Sequence, residues 1–291
     1  MTVAAVLEVY GREHAPTTAD PSRIGHAIAA LLPFWSDLPV AAVTGETCRR
    51  YARSRVRLGA DGQPVPVAPG TVRRELGCLQ AVINYAQREG YLLGAPKVTL
   101  PPKPAPRERW LTREEAARLL RAAWRNPRTR HVARFILVAL YTGTRRSAIL
   151  GLRWQANTTG GWLDLERGLL FRAAEGARRT KKRQPPARLP RRLMAHLRRW
   201  ARDGARFVVA DRGQGVGSIK SAWRTVCAEA GLEGVTPHTL RHTAITWALQ
   251  RGASKWDAAG FFGVGLDTLE RVYGHHHPDH QRSAVEAMDR R

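Results

Sequence analysis

The chain has 291 residues, 43% of them hydrophobic, and sets 48 Lys and Arg against 24 Asp and Glu, for a formal charge of +24. That hydrophobic content excludes a disordered polyelectrolyte, and the length favours two cores over one. So large a charge excess repels itself unless a polyanion neutralises it, which points to duplex DNA, whose phosphates release counterions to Lys and Arg.

Residues 2 to about 92 read as helical, with apolar positions at helical spacing in Val3-Val6-Leu7-Tyr10 and Val72-Leu76-Leu79-Val82-Ile83-Ala86. Helices are expected between them near 24–34 and 46–58, and a turn-rich stretch at 59–70 separates the last two. Arg49, Arg50, Arg53, Arg55, Arg57, Arg73 and Arg74 are candidates for a phosphate-facing surface on this small helical domain, 1–93. Pro96, Pro101, Pro102, Pro104 and Pro106 then fix φ and withhold backbone donors, so 94–110 reads as an extended linker.

The second domain, 111–291, opens on Thr112-Arg113-Glu114-Glu115, a capping-box signature. An apolar helix through Val132, Phe135, Ile136, Val138 and Leu140 is expected to stop at Gly143. Short strand-like runs follow at 161–165, 169–172 and 187–190. Helices return at about 191–202, 218–230, 238–250, 255–262, 267–274 and 279–289, with Thr236 as N-cap and Pro237 at the first turn of the third. The glycine-rich 213–217 stretch lacks the Lys-Ser/Thr of a phosphate loop and is expected to space a strand from a helix. The fold class is mainly α, with a small antiparallel sheet inside the second domain.

Cys48, Cys78 and Cys227 are too dispersed for a disulfide scaffold or a zinc site, which fits a reducing, cytoplasmic location. Glu8 interrupts the apolar start, and the run at 135–141 is too short to span a bilayer, so neither a signal peptide nor membrane attachment is expected. The consecutive imidazoles of His275-His276-His277 point in different directions on a helix and make an awkward metal site.

Candidate chemistry lies in four places. His238 and Arg241 share a helix face near a helix start, where anions are favoured. Arg145 follows a Thr-Gly helix stop, and its planar fork suits a phosphate; Arg146 has an equal chemical claim. Lys181 sits in the basic run 178–183 between strands, placed to donate a proton or to steer phosphate. Tyr273 is a phenol that needs cationic neighbours to become a nucleophile.

In this order, Thr142-Gly143-Thr144-Arg145, Thr180-Lys181, His238-Thr239-Leu240-Arg241-His242-Thr243 and Leu269-Glu270-Arg271-Val272-Tyr273-Gly274-His275 resemble the motifs of the tyrosine recombinases, the phage-integrase family. The N-terminal helices resemble that family's core-binding domain, so the likeness covers nearly the whole chain. It implies a clamp on double-stranded DNA at attachment-type sites and attack by Tyr273 to give a 3′-phosphotyrosyl link. Arg145, His238 and Arg241 would stabilise the phosphate, and Lys181 would protonate the leaving 5′-oxygen. It also implies strand exchange in a homotetramer of chains that are monomers when free, with accessory DNA-bending proteins as possible partners and no cofactor. No arm-binding domain is expected ahead of the core-binding helices.

Two positions depart from the family pattern. Val264 stands where a His or Trp donor is usual, and Ala148 where an acid is common. A lost donor costs about 10²–10³-fold in rate unless replaced, and His275, His276 and His277 are the nearby candidates. The alternatives are a non-catalytic DNA-binding protein derived from an integrase, or an enzyme like a type IB topoisomerase.

Overall fold

Apolar residues at helical spacing build the first unit. The computed structural model describes residues 1–59, 61–104, 109–177, 184–277 and 281–289, except for the side chains of 282–284. Its contacts divide the chain into Met1–Pro106 and Arg107–Arg291. In the first unit, α1 (Val3–Glu13) is capped by Thr2, and α2 (Pro21–Trp35) by Asp20 with Pro21 in its first turn. A reciprocal Thr44–Thr47 capping box starts α3 (Gly45–Ser54). The long α4 (Pro69–Arg88) brings Val72, Leu76, Leu79, Val82 and Ile83 into a core shared with Leu7, Leu31, Trp35 and Tyr51.

The third helix was expected to reach Leu58; it ends at Ser54. Val56–Leu58 (β1) pairs antiparallel with Pro64–Pro66 (β2). Val56 and Leu58 are exposed, so no burial supports a further helical turn, and Gly62 at φ +77° lets the loop close. Two of the arginines expected on a phosphate-facing surface are used internally. Arg55 forms a bidentate pair with Glu75 at 2.8–2.9 Å, and Tyr51 donates to the same carboxylate at 2.6 Å. Arg73 donates to the Pro101 carbonyl. Arg49, Arg50, Arg53 and Arg57 remain exposed.

The start of the proline-rich segment packs on this unit. Val98 is buried, and its N–H donates to the Gln80 side chain at 2.7 Å. Extended backbone leaves Ala95, Val98 and Leu100 able to lie against the first core.

In the second unit, the Thr112–Glu115 capping box opens α5 (Arg113–Arg125), which packs on α6 (Arg130–Thr142). Gly143 ends α6 in the left-handed region at φ +60°, and the short α7 (Arg146–Leu150) follows at once. Strands β3 (Trp162–Asp164), β4 (Leu169–Phe171) and β5 (Ala187–Arg188) form an antiparallel sheet in that order. Trp162 stacks on its cross-strand partner Phe171 at 4.1 Å.

After α8 (Arg191–Ala201), β6 (Ala210–Asp211) and β7 (Gln214–Gly215) make a hairpin that the sequence reading did not foresee. Arg212 and Gly213, both at positive φ, form its two-residue turn, so the glycine-rich stretch closes a hairpin as well as leading to α9 (Lys220–Glu229). Next come α10 (Pro237–Gln250), α11 (Lys255–Phe262), α12 (Leu266–Tyr273) and α13 (Arg282–Asp289).

The main core of this unit gathers Leu119, Phe135, Ile136, Leu163, Leu197, Val209, Trp223 and Leu240. Each such side chain contributes about 1.5–3 kcal/mol by leaving water. A separate small cluster of Ile245, Leu249, Phe262, Leu269 and Tyr273 holds α11 and α12 against α10. The segment before α5 is tied to α10 as well. Leu111 N–H donates to the Thr243 hydroxyl at 2.9 Å, and Trp247 Nε1 donates to the Leu111 carbonyl at 3.1 Å. Among the described residues, no helix is long and apolar enough to cross a membrane.

Candidate active site

The turn after α6 is the anchor of the site. The Thr142 hydroxyl donates back to Val138 O at 2.6 Å and lies 2.7 Å from the Thr144 hydroxyl. Two buried arginines clamp this turn from opposite elements. From just beyond β4, Arg172 donates to the Thr144 hydroxyl at 3.0 Å and the Thr142 carbonyl at 3.0 Å. From α10, Arg241 donates to the Gly143 carbonyl at 2.6 Å and to the Phe262 carbonyl, at the end of α11, at 2.7 Å. A Cβ on Gly143 would sit 2.4 Å from Phe262 Cδ1, so close packing and positive φ both demand glycine there.

Arg145, the next residue but one, caps α7 and is half-buried, whereas Arg146 is exposed. This separates the two neighbours that sequence chemistry left equal. Burial lowers the pKa of Arg145. Burial, then repulsion from Arg145, lowers Arg241 to about 10. Arg172 falls to about 10 as well, by burial and by repulsion from Arg241 and Arg145. All three remain cationic at neutral pH. Among the described residues, neither Arg172 nor Arg241 forms a salt bridge with a carboxylate. A cluster of buried guanidiniums braced by carbonyls is a place where an anion is strongly favoured.

His238 lies in the first turn of α10 behind the Thr236–Thr239 capping box. Its pKa is lowered to about 4 by burial and by His242, Arg241 and Arg145. The residue keeps solvent access, and its positively charged neighbours push its pKa in the same direction as burial does. At neutral pH it is a neutral imidazole able to donate one hydrogen bond.

Tyr273 ends α12, buried in the small cluster with Leu269, Ile245 and Phe262. Burial raises its phenol to about 12 against the opposing pull of Arg241. Its hydroxyl lies 2.6 Å from His242 Nδ1.

Four of the five residues singled out from sequence, Arg145, His238, Arg241 and Tyr273, therefore share one electrostatic neighbourhood. Lys181 lies outside the described residues; the strands flanking its segment, β4 and β5, are adjacent in the sheet. Val264 rests against the small apolar cluster and offers only its backbone N–H, which donates to Ala259 O at 3.1 Å. The His275 and His276 rings lie 3.9 Å apart, tilted by 47°, and His276 also meets the Trp110 ring. Among the described residues, no group of His, Cys, Asp and Glu could hold a metal ion.

Sequence reasoning missed two site residues, His242 and Arg172. His242 carried a signal, since it lies four residues after His238 and so one helical turn along the same face. Arg172 carried only the weak signal of a charge ending an apolar strand.

The integrase of Salmonella phage P22 is 27% identical over 242 residues, 78% of this chain. The match spans only 59% of the phage P22 protein's own length. Tyrosine recombinase XerA of Thermococcus onnurineus is 29% identical over 215 residues, 72% of either chain. Among solved structures, the Tn1549 transposon integrase in complex with a circular intermediate DNA aligns with a TM-score of 0.76 over 99% of both chains, at 15% identity. A lambda integrase dimer bound to a COC′ core site aligns with a TM-score of 0.69 over 93% of this chain and 97% of that one, at 17% identity. At such identities these structures establish the shared fold. The pattern of the phage integrase family matches residues 109–280, more than half of the sequence and all of the motifs above, and the chain belongs to that family.

Proposed function

We propose that this protein is a site-specific DNA recombinase that cleaves and rejoins duplex DNA through a 3′-phosphotyrosyl intermediate on Tyr273. The observation that carries this reading is that Arg145, His238 and Arg241 lie close enough to act on one another, while Arg241 also acts on the buried Tyr273, whose hydroxyl rests against His242 of the same helix. Family membership and the charge of +24 support it.

Phosphoryl transfer asks the protein mainly for positioning and for donors where negative charge builds. In this reading Arg145 and Arg241 bind the two non-bridging oxygens, and neutral His238 adds a hydrogen bond. Arg241 has five N–H groups, and its bonds to Gly143 and Phe262 leave donors for a phosphate. Tyr273 attacks phosphorus in line, and Lys181 protonates the departing 5′-oxygen. The phosphodiester energy is kept in the tyrosyl link, so rejoining needs no cofactor. The helical unit, 1–93, acts as the core-binding domain, with exposed Arg49, Arg50, Arg53 and Arg57 on phosphates. Exchange of strands takes place in a tetramer on two sites.

Val264 favours a second reading, a protein that binds sites without cutting them, because its side chain supplies no donor. A nicked suicide duplex separates the two readings. Its substrate comes from selection among random nicked duplexes for those the protein retains through native washes. The recombinase forms an adduct that Tyr273→Phe abolishes. Retained binding with no adduct establishes the second reading.

A further inference from the structure

The roles above leave unused the imidazole that touches the nucleophile. His242 follows Arg241 on α10, and its Nδ1 lies 2.6 Å from Tyr273 Oη. That separation is at the short end for an O–H···N contact and marks a strong bond with a single proton between the two atoms. The rings are 5.5 Å apart and inclined by 34°. His238 stands edge-on to His242, 4.8 Å away at 90°. The hydroxyl's hydrogen-bond partner is thus His242 and not His238.

Both partners of this bond are neutral. Burial and then the positive charge of Arg241 keep the His242 ring neutral, while burial keeps Tyr273 protonated. In the tautomer that carries its ring hydrogen on Nε2, His242 accepts at Nδ1 from the phenol, and this is the arrangement that proton transfer requires. Among the described residues, the titratable and charged groups facing this imidazole are His238 and Arg241 on its own helix and Tyr273 on α12.

Resting on the recombinase reading, we propose that His242 is the general base of strand cleavage, taking the Tyr273 proton directly, while His238 serves the phosphate. As the Oη–P bond forms, the O–H bond breaks, its electron pair stays on oxygen, and the proton passes to Nδ1. The P–O5′ bond then breaks, and the 5′-oxygen takes its proton from the separate acid on the other side of the phosphorus. The imidazolium appears as the pentacoordinate phosphate gains its second negative charge, which offsets repulsion from Arg241. In ligation the 5′-hydroxyl attacks, and the imidazolium returns its proton to Oη.

Single-turnover cleavage of the suicide duplex tests this. His242→Ala is expected to slow adduct formation about 10²–10⁴-fold with DNA binding unchanged. His242→Asn places an amide oxygen near the position of Nδ1, accepts the phenol hydrogen bond, and cannot take up the proton. It also serves if the alanine variant fails to fold. The asparagine variant is expected to be as slow as the alanine variant. Fluorinated tyrosine at position 273, a more acidic phenol, is expected to recover most of the loss in either variant while changing the parent little. With a 5′-thio leaving group, which needs no proton, the His242 defect is expected to persist. Three results overturn the proposal: variants within about threefold of the parent, restoration of rate by asparagine, or no recovery with the fluorinated phenol. Absence of any Tyr273 adduct in the parent protein contradicts the recombinase reading itself.

Discussion

Arg172 donates from its Nε to the Thr144 hydroxyl at 3.0 Å, tying the sheet to the turn that presents Arg145. The same guanidinium reaches the Thr142 carbonyl at 3.0 Å and the Pro185 carbonyl at 2.6 Å. It braces the site from beneath. Arg172→Ala leaves buried acceptors unmet, at about 1–3 kcal/mol for each group, so urea denaturation is expected to show a stability loss of that order. Cleavage is expected to fall further than DNA binding, because Arg145 loses its support. A variant as stable and active as the parent contradicts this bracing role.

Gly143→Ala combines two penalties. The left-handed backbone costs a residue with a Cβ about 1–2 kcal/mol, and the 2.4 Å approach to Phe262 adds an overpacking cost of about 1–3 kcal/mol. Denaturant midpoints are expected to fall accordingly. Measured in a Phe262→Ala background, the cost of Gly143→Ala is expected to lose part of the overpacking contribution and keep the backbone contribution. Complete loss of that cost would show that only the packing matters.

Arg241→Ala is expected to cut the single-turnover cleavage rate by at least 10²–10³-fold while site binding stays within a few fold, since its donors act where charge develops. Arg241 also holds the Gly143 and Phe262 carbonyls together, so the melting temperature is expected to fall too. Equal loss of binding and cleavage would assign this residue to affinity rather than to chemistry.

The histidines give a pH signature. His238, His242 and His131 all have folded pKa values below the ordinary 6.5, each chiefly through burial. The unfolded chain binds more protons than the folded one just below that pH. Their contribution to stability is complete above about 6.5 and declines as pH falls toward the folded values, near 4 for His238. Melting temperature is expected to drop between pH 7 and pH 5, and less steeply in His238→Gln. Inorganic phosphate at the arginines is expected to raise the His238 pKa, read by NMR titration of its ring proton. A pKa that stays put on phosphate addition would place His238 away from the anion site.

What the sequence made legible was local. The Thr112–Glu115 and Thr236–Thr239 boxes mark their helix starts through neighbours three residues away, and Gly143 marks its helix stop through its own backbone. Val56–Leu58 was misread as helix because nothing in the segment says that no core awaits it. The clamp on the turn was hidden for a different reason. Arg172 meets Thr144 across 28 residues, Arg241 meets Gly143 across 98, and His242 meets Tyr273 across 31. Such partners are chosen by packing, and an arginine bound for a buried carbonyl looks in sequence like one bound for solvent. Arg55 shows the converse, a residue of a basic run that folds inward onto Glu75.

Digestion of the trapped protein–DNA adduct, with the nucleotide-bearing peptide mapped by mass spectrometry, tests Tyr273 as the nucleophile. A 3′-phosphate of the cleaved strand is expected on Tyr273, with a free 5′-hydroxyl opposite and no adduct in Tyr273→Phe. A nucleotide carried by any other residue, or an adduct that survives that substitution, would contradict that role.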